Sequence, residues 1–332
     1  MESIAEALEA VNKEALRDHS LVLTMDTKFV KEDKVDLDND PDGDLRFRES
    51  PSEARIKGAL PTQKLLSQEL EDANLRAALN QASESKDLRK LARLRSTSAK
   101  YAGFWLDVVP SRALGLALSG AEFTTLVKYW LGLPIYNEDT DCPLCGCVLD
   151  KYGYHALVCK HGGDVGLRHD QLRDSAFPYF QQAGLRPQKE TPGLIRDSQE
   201  RPGDIYVPAH RNGQGKAFDF AITNALQTKF VENAAAVSGG AAMLYAGLKR
   251  DKYEMKLLNQ DVPILFQPLV MDAYGAWDPD ALTSLKQIAR GGSTARNQQY
   301  SLYLTRMMGK FSLVVMRGNA RALLRRRVDV VD

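Results

Sequence analysis

The chain has 332 residues, of which 44% are apolar and 26% charged, the composition of an ordinary soluble protein of about two domains. It contains no run of 18 apolar residues and no recognisable secretory leader, so we expect neither a membrane span nor export. The net charge of +1 conceals an asymmetry: residues 31–50 carry eight carboxylates against four basic side chains, whereas residues 281–328 carry ten lysines and arginines and no acid.

The first 140 residues are predicted to be mostly helical. Residues 1–30 have the pattern of an amphipathic helix, and the acidic, proline-containing residues 31–62 are typical of a linker. Residues 63–95 carry apolar side chains at helical spacing and predict two helices. Residues 102–135 have aromatic and aliphatic anchors broken by a proline and a glycine, which indicates a helical subdomain.

Part of the acidic linker matches a calcium-binding loop. The residues at positions one, three, five, six, seven and twelve of that pattern are Asp38, Asp40, Asp42, Gly43, Asp44 and Glu49. Pro51 stands where the second helix of such a motif would run, and the chain has no partner loop. A solvated acidic linker is therefore the preferred interpretation, and a calcium site is the alternative.

All cysteines of the chain lie within one 18-residue window, where clustered thiols indicate a metal site rather than disulfides. Cysteine and histidine at these spacings suit one tetrahedral zinc ion. The predicted zinc ligands are Cys142, Cys145, His155 and Cys159. Four protein ligands leave no position for water, so we expect this zinc to organise the fold and nucleic-acid contact. Cys147 is a spare thiol, and His161 is an alternative to the third or fourth ligand.

From residue 167 onwards helices and strands alternate, which predicts an α+β protein. RNGQG between two strand-like segments favours a hairpin, and the helical pattern that follows is interrupted at Gly239-Gly240. The predicted elements are helix 167–183, strands 185–191, 204–208 and 216–223, helical residues 226–256, strand 262–270, and helices 278–291 and 298–327.

Three carboxylates fall on the predicted strands. Asp204 opens one strand and Asp219 lies within the next, so a hairpin can bring both to one metal ion. Glu190, near the end of the preceding strand, can complete the set. Hydrolysis of a phosphodiester with Mg²⁺ or Mn²⁺ needs oxygen ligands of this kind and a group that handles the attacking water.

The position of the lysine is ambiguous. In PD-(D/E)xK nucleases a lysine follows the second acid by two residues, but Ala221 occupies that position here. Lys249 and Lys252, on the next predicted helix, are the two candidates, because only the tip of the side chain has to reach the reacting water. The first acid also departs from the simplest pattern, since Gly203 separates the proline from Asp204.

The order of these motifs resembles the C-terminal region of non-LTR retrotransposon polyproteins that carry a restriction-enzyme-like endonuclease, in the lineage of site-specific elements. The resemblance covers roughly residues 60–327. The segments that carry it are ARLRSTSAKYAGFWLDVVP, LVKYWLGLP, the cysteine cluster, RHD (168–170), RPGDI (201–205), FDFAITN (218–224) and GGAAMLYAGLKRDKY (239–253).

The resemblance implies a zinc knuckle followed by a restriction-like αβββαβ core that nicks target DNA and leaves a 3′-OH for target-primed reverse transcription. It makes Asp204 and Asp219 the metal-binding acids, Glu190 the additional acid and Lys249 the lysine. Arg168 and His169 fall on a motif expected to contact DNA or phosphate. The basic C-terminal segment is a candidate phosphate-binding face as well, with a solvated helix as the alternative. Its predicted contacts are Arg325, Arg326 and Arg327.

The composition of the chain and the resemblance together divide it into regions, and the resemblance names its partners. The implied regions are 1–62, 63–140, a zinc knuckle at 141–165, an endonuclease core at 166–280 and basic helices at 281–332. No YxDD polymerase signature is present, so the resemblance implies that the reverse transcriptase is a separate domain or protein of the parent element. The implied partners are target DNA and, as a further candidate, element RNA, in the nucleus. The alternatives are a non-catalytic, zinc-dependent DNA- or RNA-binding remnant and a mostly helical interaction protein.

Overall fold

The structure, a computed structural model, describes residues 63–210 and 213–327. The chain divides into two units, Met1–Lys86 and Asp87–Asp332. In the first, helix α1 spans Gln63–Glu84. The predicted N-terminal helix, the acidic linker and the candidate calcium loop lie outside the described residues. All further elements belong to the second unit, which is mixed α and β, as the sequence predicted.

A four-stranded mixed sheet forms the centre of the second unit. Its strands stand in the order β3-β4-β5-β6; β3–β4 and β4–β5 are antiparallel, and β5–β6 is parallel. The strands are β3 Gln188–Lys189, β4 Ile205–Val207, β5 Gly215–Thr223 and β6 Ile264–Asp272. The predicted hairpin is therefore confirmed as the β4–β5 pair. The first predicted strand is reduced to two residues because Glu190 adopts a positive φ of 50° and Pro192 lacks a donor for the ladder.

Helices cover both faces of the sheet. On one face lie α5 (Asp164–Gln182), α8 (Pro279–Ala295) and α9 (Tyr300–Leu324). Phe218 and Phe220 of β5 point to this face and pack with buried residues of these helices, including Phe180 and Phe311. Alternate residues of a strand point to opposite faces, so Ala217, Asp219 and Ala221 face the other way.

The second face is covered by the connection between the parallel strands. It consists of α6 (Val231–Ala236) and α7 (Gly240–Leu258), as a parallel pair requires a crossover. The predicted interruption at Gly239-Gly240 is confirmed. Gly239 has a φ of 75°, and a Cβ on Gly240 would lie 2.0 Å from the carbonyl oxygen of Asn233. The break thus lets two helices meet at a point where no side chain fits.

Short helices lead from residue 87 to the cysteine segment. They are α2 (Leu88–Thr97), α3 (Phe104–Asp107) and α4 (Gly120–Leu131), which confirms the helical character of this region. Ser119 and Glu122 cap α4 through reciprocal side-chain and backbone hydrogen bonds. Trp105 and Leu126 pack against Leu313 and Met316, so this region is fastened to helix α9.

The cysteine segment contains a small hairpin that the sequence did not predict. Strands β1 (Thr140–Asp141) and β2 (Val148–Leu149) pair antiparallel, and the C-x₂-C turn lies between them. The hairpin places the first two cysteines beside the loop that carries the later ligands. Among the helices of the described residues, none combines the length and apolar character of a membrane span.

Candidate active site and metal centre

Two buried acids lie side by side at one end of the β4–β5 pair. The register pairs Ile205 with Phe218, so one further step places Asp204 beside Asp219. Both residues are at most 9% exposed. Gly203 precedes the first acid because a Cβ at that position would lie 2.9 Å from Cβ of Ala217. The glycine that departs from the simplest motif is therefore required by the close approach of the two strands.

The two carboxylate oxygens of Asp204 differ in their hydrogen bonding. Oδ2 accepts the backbone N–H of Phe220 at 2.6 Å and contacts Nε2 of His169 at 3.1 Å. Oδ1 accepts no hydrogen bond from the part of the chain that the structure describes. Asp204 raises the pKa of His169 to about 9, against the opposing effect of burial. With this pKa the imidazole is cationic at neutral pH.

Asp219 has its own cation, Lys249 of helix α7. Nζ lies 3.2 Å from Oδ1 and 2.9 Å from Oδ2. Burial raises the pKa of Asp219 to about 6, although Lys249 acts in the opposite direction. Burial also works against the charged lysine, but Asp219 outweighs it and the pKa of Lys249 is raised. The site therefore contains two carboxylates, each neutralised by a separate basic side chain.

The two candidate lysines have different surroundings. Nζ of Lys252 lies 3.4 Å from Glu200 and 4.6 Å from the ring centroid of Tyr253. Its side chain is 54% exposed, whereas that of Lys249 is 22% exposed. Of the two, the structure brings Lys249 to the buried acids, while Lys252 belongs to an exposed ion pair.

Glu190 is connected to the site through its backbone rather than through its carboxylate. Its N–H donates to the carbonyl of Asp204 at 3.0 Å. Its carboxylate pairs with Arg173 of helix α5 and lies 3.9 Å from Arg201. Within the described residues, the cysteine cluster is the only group of three or more acids, histidines or cysteines that is placed to hold a metal ion. The three predicted acids do not form such a group, because the carboxylate of Glu190 pairs with arginines instead.

The four predicted zinc ligands do converge. The ligand atoms of Cys142, Cys145, His155 and Cys159 all lie within 4.8 Å of one another and can hold a metal ion. Sγ of Cys145 is 3.2 Å from Nε2 of His155. Three sulfurs and one imidazole suit the tetrahedral geometry of zinc. The predicted C-x₂-C-x₉-H-x₃-C set is therefore brought together as a group.

The backbone around the cluster explains this convergence. Cys142 donates to the carbonyl of Cys147, and Gly146, at a φ of 72°, donates back to Cys142. The carboxylate of Asp150 accepts three backbone N–H groups, among them that of His155 at 2.8 Å. Cys147 is exposed and stays outside the group of four. The group contains His155, and not the alternative His161.

Two residues that were predicted to contact nucleic acid, Arg168 and Arg326, are buried in the structure, so that prediction is wrong for both. Arg168 is 3% exposed, and its guanidinium donates to Asn319 and to the carbonyl of Leu157. Arg326 is fully buried and donates to Asp164 at 2.9 Å and to the carbonyl of His161. A guanidinium with this burial and these partners cannot contact a phosphate. Both arginines instead join the cysteine segment to the body of the unit.

The remaining predicted contacts lie nearer the surface. Arg325 donates to Asp164 and to the carbonyl of Gly162, with 38% of its side chain exposed. Arg327 is exposed and lies 3.5 Å from the hydroxyl of Thr125. His169 is turned towards Asp204, as described above.

Sequence reasoning missed Asp164, the first residue of helix α5. Asp164 is 3% exposed, and its carboxylate contacts Arg321, Arg325 and Arg326, which lie at or just after the C-terminal end of helix α9. An acid at a helix N-terminus after two glycines was a usable signal, because the helix dipole favours negative charge there. Its arginine partners, more than 150 residues away, carried no such signal.

Comparison of the chain with protein-family models gives no match, and no curated protein matches it either. The arrangement of Asp204, Asp219 and Lys249 is therefore the feature on which a functional assignment rests.

Proposed function

We propose that this chain is a metal-dependent DNA endonuclease with a restriction-enzyme-like core. The observation that carries the proposal is the pair of buried acids, Asp204 and Asp219, side by side on antiparallel strands, with Lys249 reaching the second acid from the crossover helix. The element order from α5 to β6 agrees with the αβββαβ core that the family resemblance implies, with the crossover divided into two helices.

The acids suit a hard divalent cation. Asp204 keeps one oxygen without a hydrogen bond, and the carboxylate of Asp219 faces a single ammonium group. Mg²⁺ or Mn²⁺ held by these carboxylates would polarise the scissile phosphate and lower the pKa of a bound water. Lys249 would orient that water and offset the negative charge that develops on the phosphate. Glu190 contributes by fixing the backbone of Asp204.

The cysteine cluster is proposed to hold structural zinc. Three thiolates and one imidazole fill the tetrahedral shell, so no position is left for a reacting water. In this proposal zinc secures the loop that Arg325 and Arg326 bind, beside the N-terminus of helix α5. It thereby supports the helix that carries His169 and Arg173 to the acids.

By family resemblance, the substrate is double-stranded target DNA and the product a nick with a 3′-OH that a separate reverse transcriptase extends. Element RNA is a further candidate partner, and the place of action is the nucleus. The resemblance supports the substrate, partner and location, whereas the acids and the lysine support the hydrolytic chemistry.

The test is a plasmid-nicking assay with and without Mg²⁺ or Mn²⁺. Asp204→Asn and Asp219→Asn are expected to abolish nicking, because each loses a charged ligand while keeping its size. Asp261→Asn is the matched control, since that carboxylate is 88% exposed and, within the described residues, its one ion pair is with Arg196. Zinc content and DNA binding are measured on all four proteins. DNA binding without metal-stimulated nicking in the wild type would refute the endonuclease and favour the binding remnant.

A further inference from the structure

Strand β4 begins at Ile205, opposite Phe218, and so does not extend along the end of β5 that carries Asp219. This leaves a gap in the hydrogen-bond ladder. The β4–β5 pairing stops at Ile205 and Phe218, so Phe220 has no β4 partner. Its N–H donates instead to Oδ2 of Asp204 at 2.6 Å, and its carbonyl is 3.0 Å from Nε2 of His169. Two side chains thus replace the missing strand at the residue directly after Asp219.

The partners of His169 make Nε2 a hydrogen-bond donor. The carbonyl of Phe220 can only accept a hydrogen bond, and the carboxylate of Asp204 also accepts. Nε2 is therefore a donor, and its proton lies between the two oxygens at 3.0 and 3.1 Å. Nδ1 faces Asp170 at 3.3 Å. Both sides of the ring are thereby held.

One imidazole therefore touches both acid-bearing segments. It binds the carboxylate of Asp204 directly and the backbone of the residue next to Asp219. On the following turn of α5, Arg173 pairs with Glu190, so one helix face holds two of the three predicted acids. The His169 side chain is 29% exposed at this edge, unlike that of Arg168, which is buried in the core.

We infer that His169 is a positioning residue of the metal site: its Nε2–H joins Oδ2 of Asp204 to the backbone beside Asp219 and leaves Oδ1 of Asp204 for the cation. The inference rests on the proposed metal site, and it replaces the expected phosphate contact of this histidine. It goes beyond the predicted acids and lysine because it assigns a role to the helix on the opposite face of the sheet.

The experiment measures Mn²⁺ binding by calorimetry in DNA-free protein, together with nicking as a function of Mn²⁺ concentration. His169→Leu is expected to weaken Mn²⁺ binding and raise the half-saturating concentration by about 10- to 100-fold, as for other groups that orient metal ligands. His169→Gln, whose amide can donate from a similar position, is expected to recover most of this loss. Gln171→Leu, exposed on the same helix, is the matched control and should behave as wild type.

Several results would overturn the inference. Unchanged Mn²⁺ affinity in His169→Leu is one, and an equal loss in the leucine and glutamine variants is another. Weaker DNA binding with unchanged Mn²⁺ affinity would restore the phosphate contact. Nitrogen hyperfine coupling in the Mn²⁺ EPR spectrum that disappears in His169→Leu would make the ring a ligand rather than a positioning group.

The binding measurement separates this inference from the proposed function. If the wild type binds Mn²⁺ in an Asp204-dependent manner but does not nick DNA, the endonuclease is refuted and the role of His169 is still decided by the calorimetry. If the wild type binds no Mn²⁺ that depends on Asp204, both proposals are refuted.

Discussion

At the scale of single residues, the two lysines of helix α7 offer the sharpest contrast. Lys249 lies 2.9 Å from the buried carboxylate of Asp219, whereas Lys252 pairs with Glu200 at the surface. Residue spacing alone could not separate them, because the choice depends on how the helix is rotated about its axis. The family resemblance favoured Lys249.

Lys249→Met is expected to lower the nicking rate by about 10²–10⁴-fold, the range for loss of a group that handles a proton in the transition state. Lys252→Met, the matched control three residues away, should stay within about twofold of wild type. Single-turnover nicking at saturating Mg²⁺ checks both. Equal losses in the two variants would refute the assignment of the lysine.

A second residue predicts a pH dependence of stability. Asp272, the last residue of β6, is fully buried and accepts the N–H groups of Tyr274 and Ala276. Burial raises its pKa to about 6, although Ser96 and the neighbouring backbone N–H groups act in the opposite direction. The unfolded chain releases this proton near pH 4, but the folded protein keeps it until about pH 6. Because the folded state holds this proton more tightly than the unfolded state, the protonated Asp272 stabilises the fold. This stabilisation is fully present below pH 4 and is lost as the pH rises through 6.

Asp272→Asn should remove that loss, because an amide keeps the accepting oxygen and does not ionise. Two pKa units correspond to roughly 3 kcal/mol. The free energy of unfolding of the variant, relative to wild type, is thus expected to rise by about that amount between pH 4 and pH 7. Urea titrations at a series of pH values measure it. A difference between the two proteins that is constant with pH would contradict the prediction.

At the scale of elements, the N-terminus of α5 and the end of α9 are joined by one buried acid and three arginines. Arg326 is the buried member of the group, and Arg321 is half-exposed at 3.3 Å from Asp164. The pKa of Asp164 is lowered: its burial acts to raise it, but the hydrogen bonds from Arg326 and Arg325 outweigh that effect. The folded protein therefore stabilises the ionised carboxylate of Asp164.

Arg326→Met is expected to destabilise the unit by about 3–5 kcal/mol, the range for breaking a buried ion pair on one side. Arg321→Met should cost about 1 kcal/mol or less, since exposed pairs contribute little. Chemical denaturation measures both. A small effect at Arg326, with DNA binding weakened instead, would restore the phosphate contact that its burial argues against.

The helices, strands and their contacts also differ in how far they could be predicted from the sequence. Helix and strand order, the β4–β5 hairpin and the grouping of three cysteines with one histidine were predictable, because periodicity, turn residues and ligand spacing are local. The roles of Arg168 and Arg326 were not, because their partners Asn319 and Asp164 lie more than 150 residues away. A basic segment without acids resembles a phosphate-binding face as long as its acidic partner is unknown. Here that partner, Asp164, is distant in the sequence but adjacent in the fold.

At the scale of the whole molecule, the cysteine cluster is predicted to control stability. We expect one zinc per chain, lost in Cys142→Ser and retained in Cys147→Ser, whose thiol is exposed and outside the group of four. Binding at a zinc concentration 1,000 times Kd stabilises by about 4 kcal/mol. For a unit of this size, chelation should therefore lower Tm by roughly 8–16 °C. Metal analysis and calorimetry check this; zinc retained by Cys142→Ser would refute the ligand set.

The parallel pairing of β5 with β6 also bears on how the protein folds. Gly215 pairs with Ile264, and the 48 residues between them include the helix that carries Lys249. Closing such a long loop costs chain entropy before any contact compensates for it. Parallel strand pairs with a long crossover therefore form late in folding. Asp204 and Asp219 can meet early through their hairpin, but Lys249 reaches them only once the crossover has closed. Intermediates that lack β6 would therefore hold two adjacent carboxylates without the lysine, and the complete site would mark the end of folding.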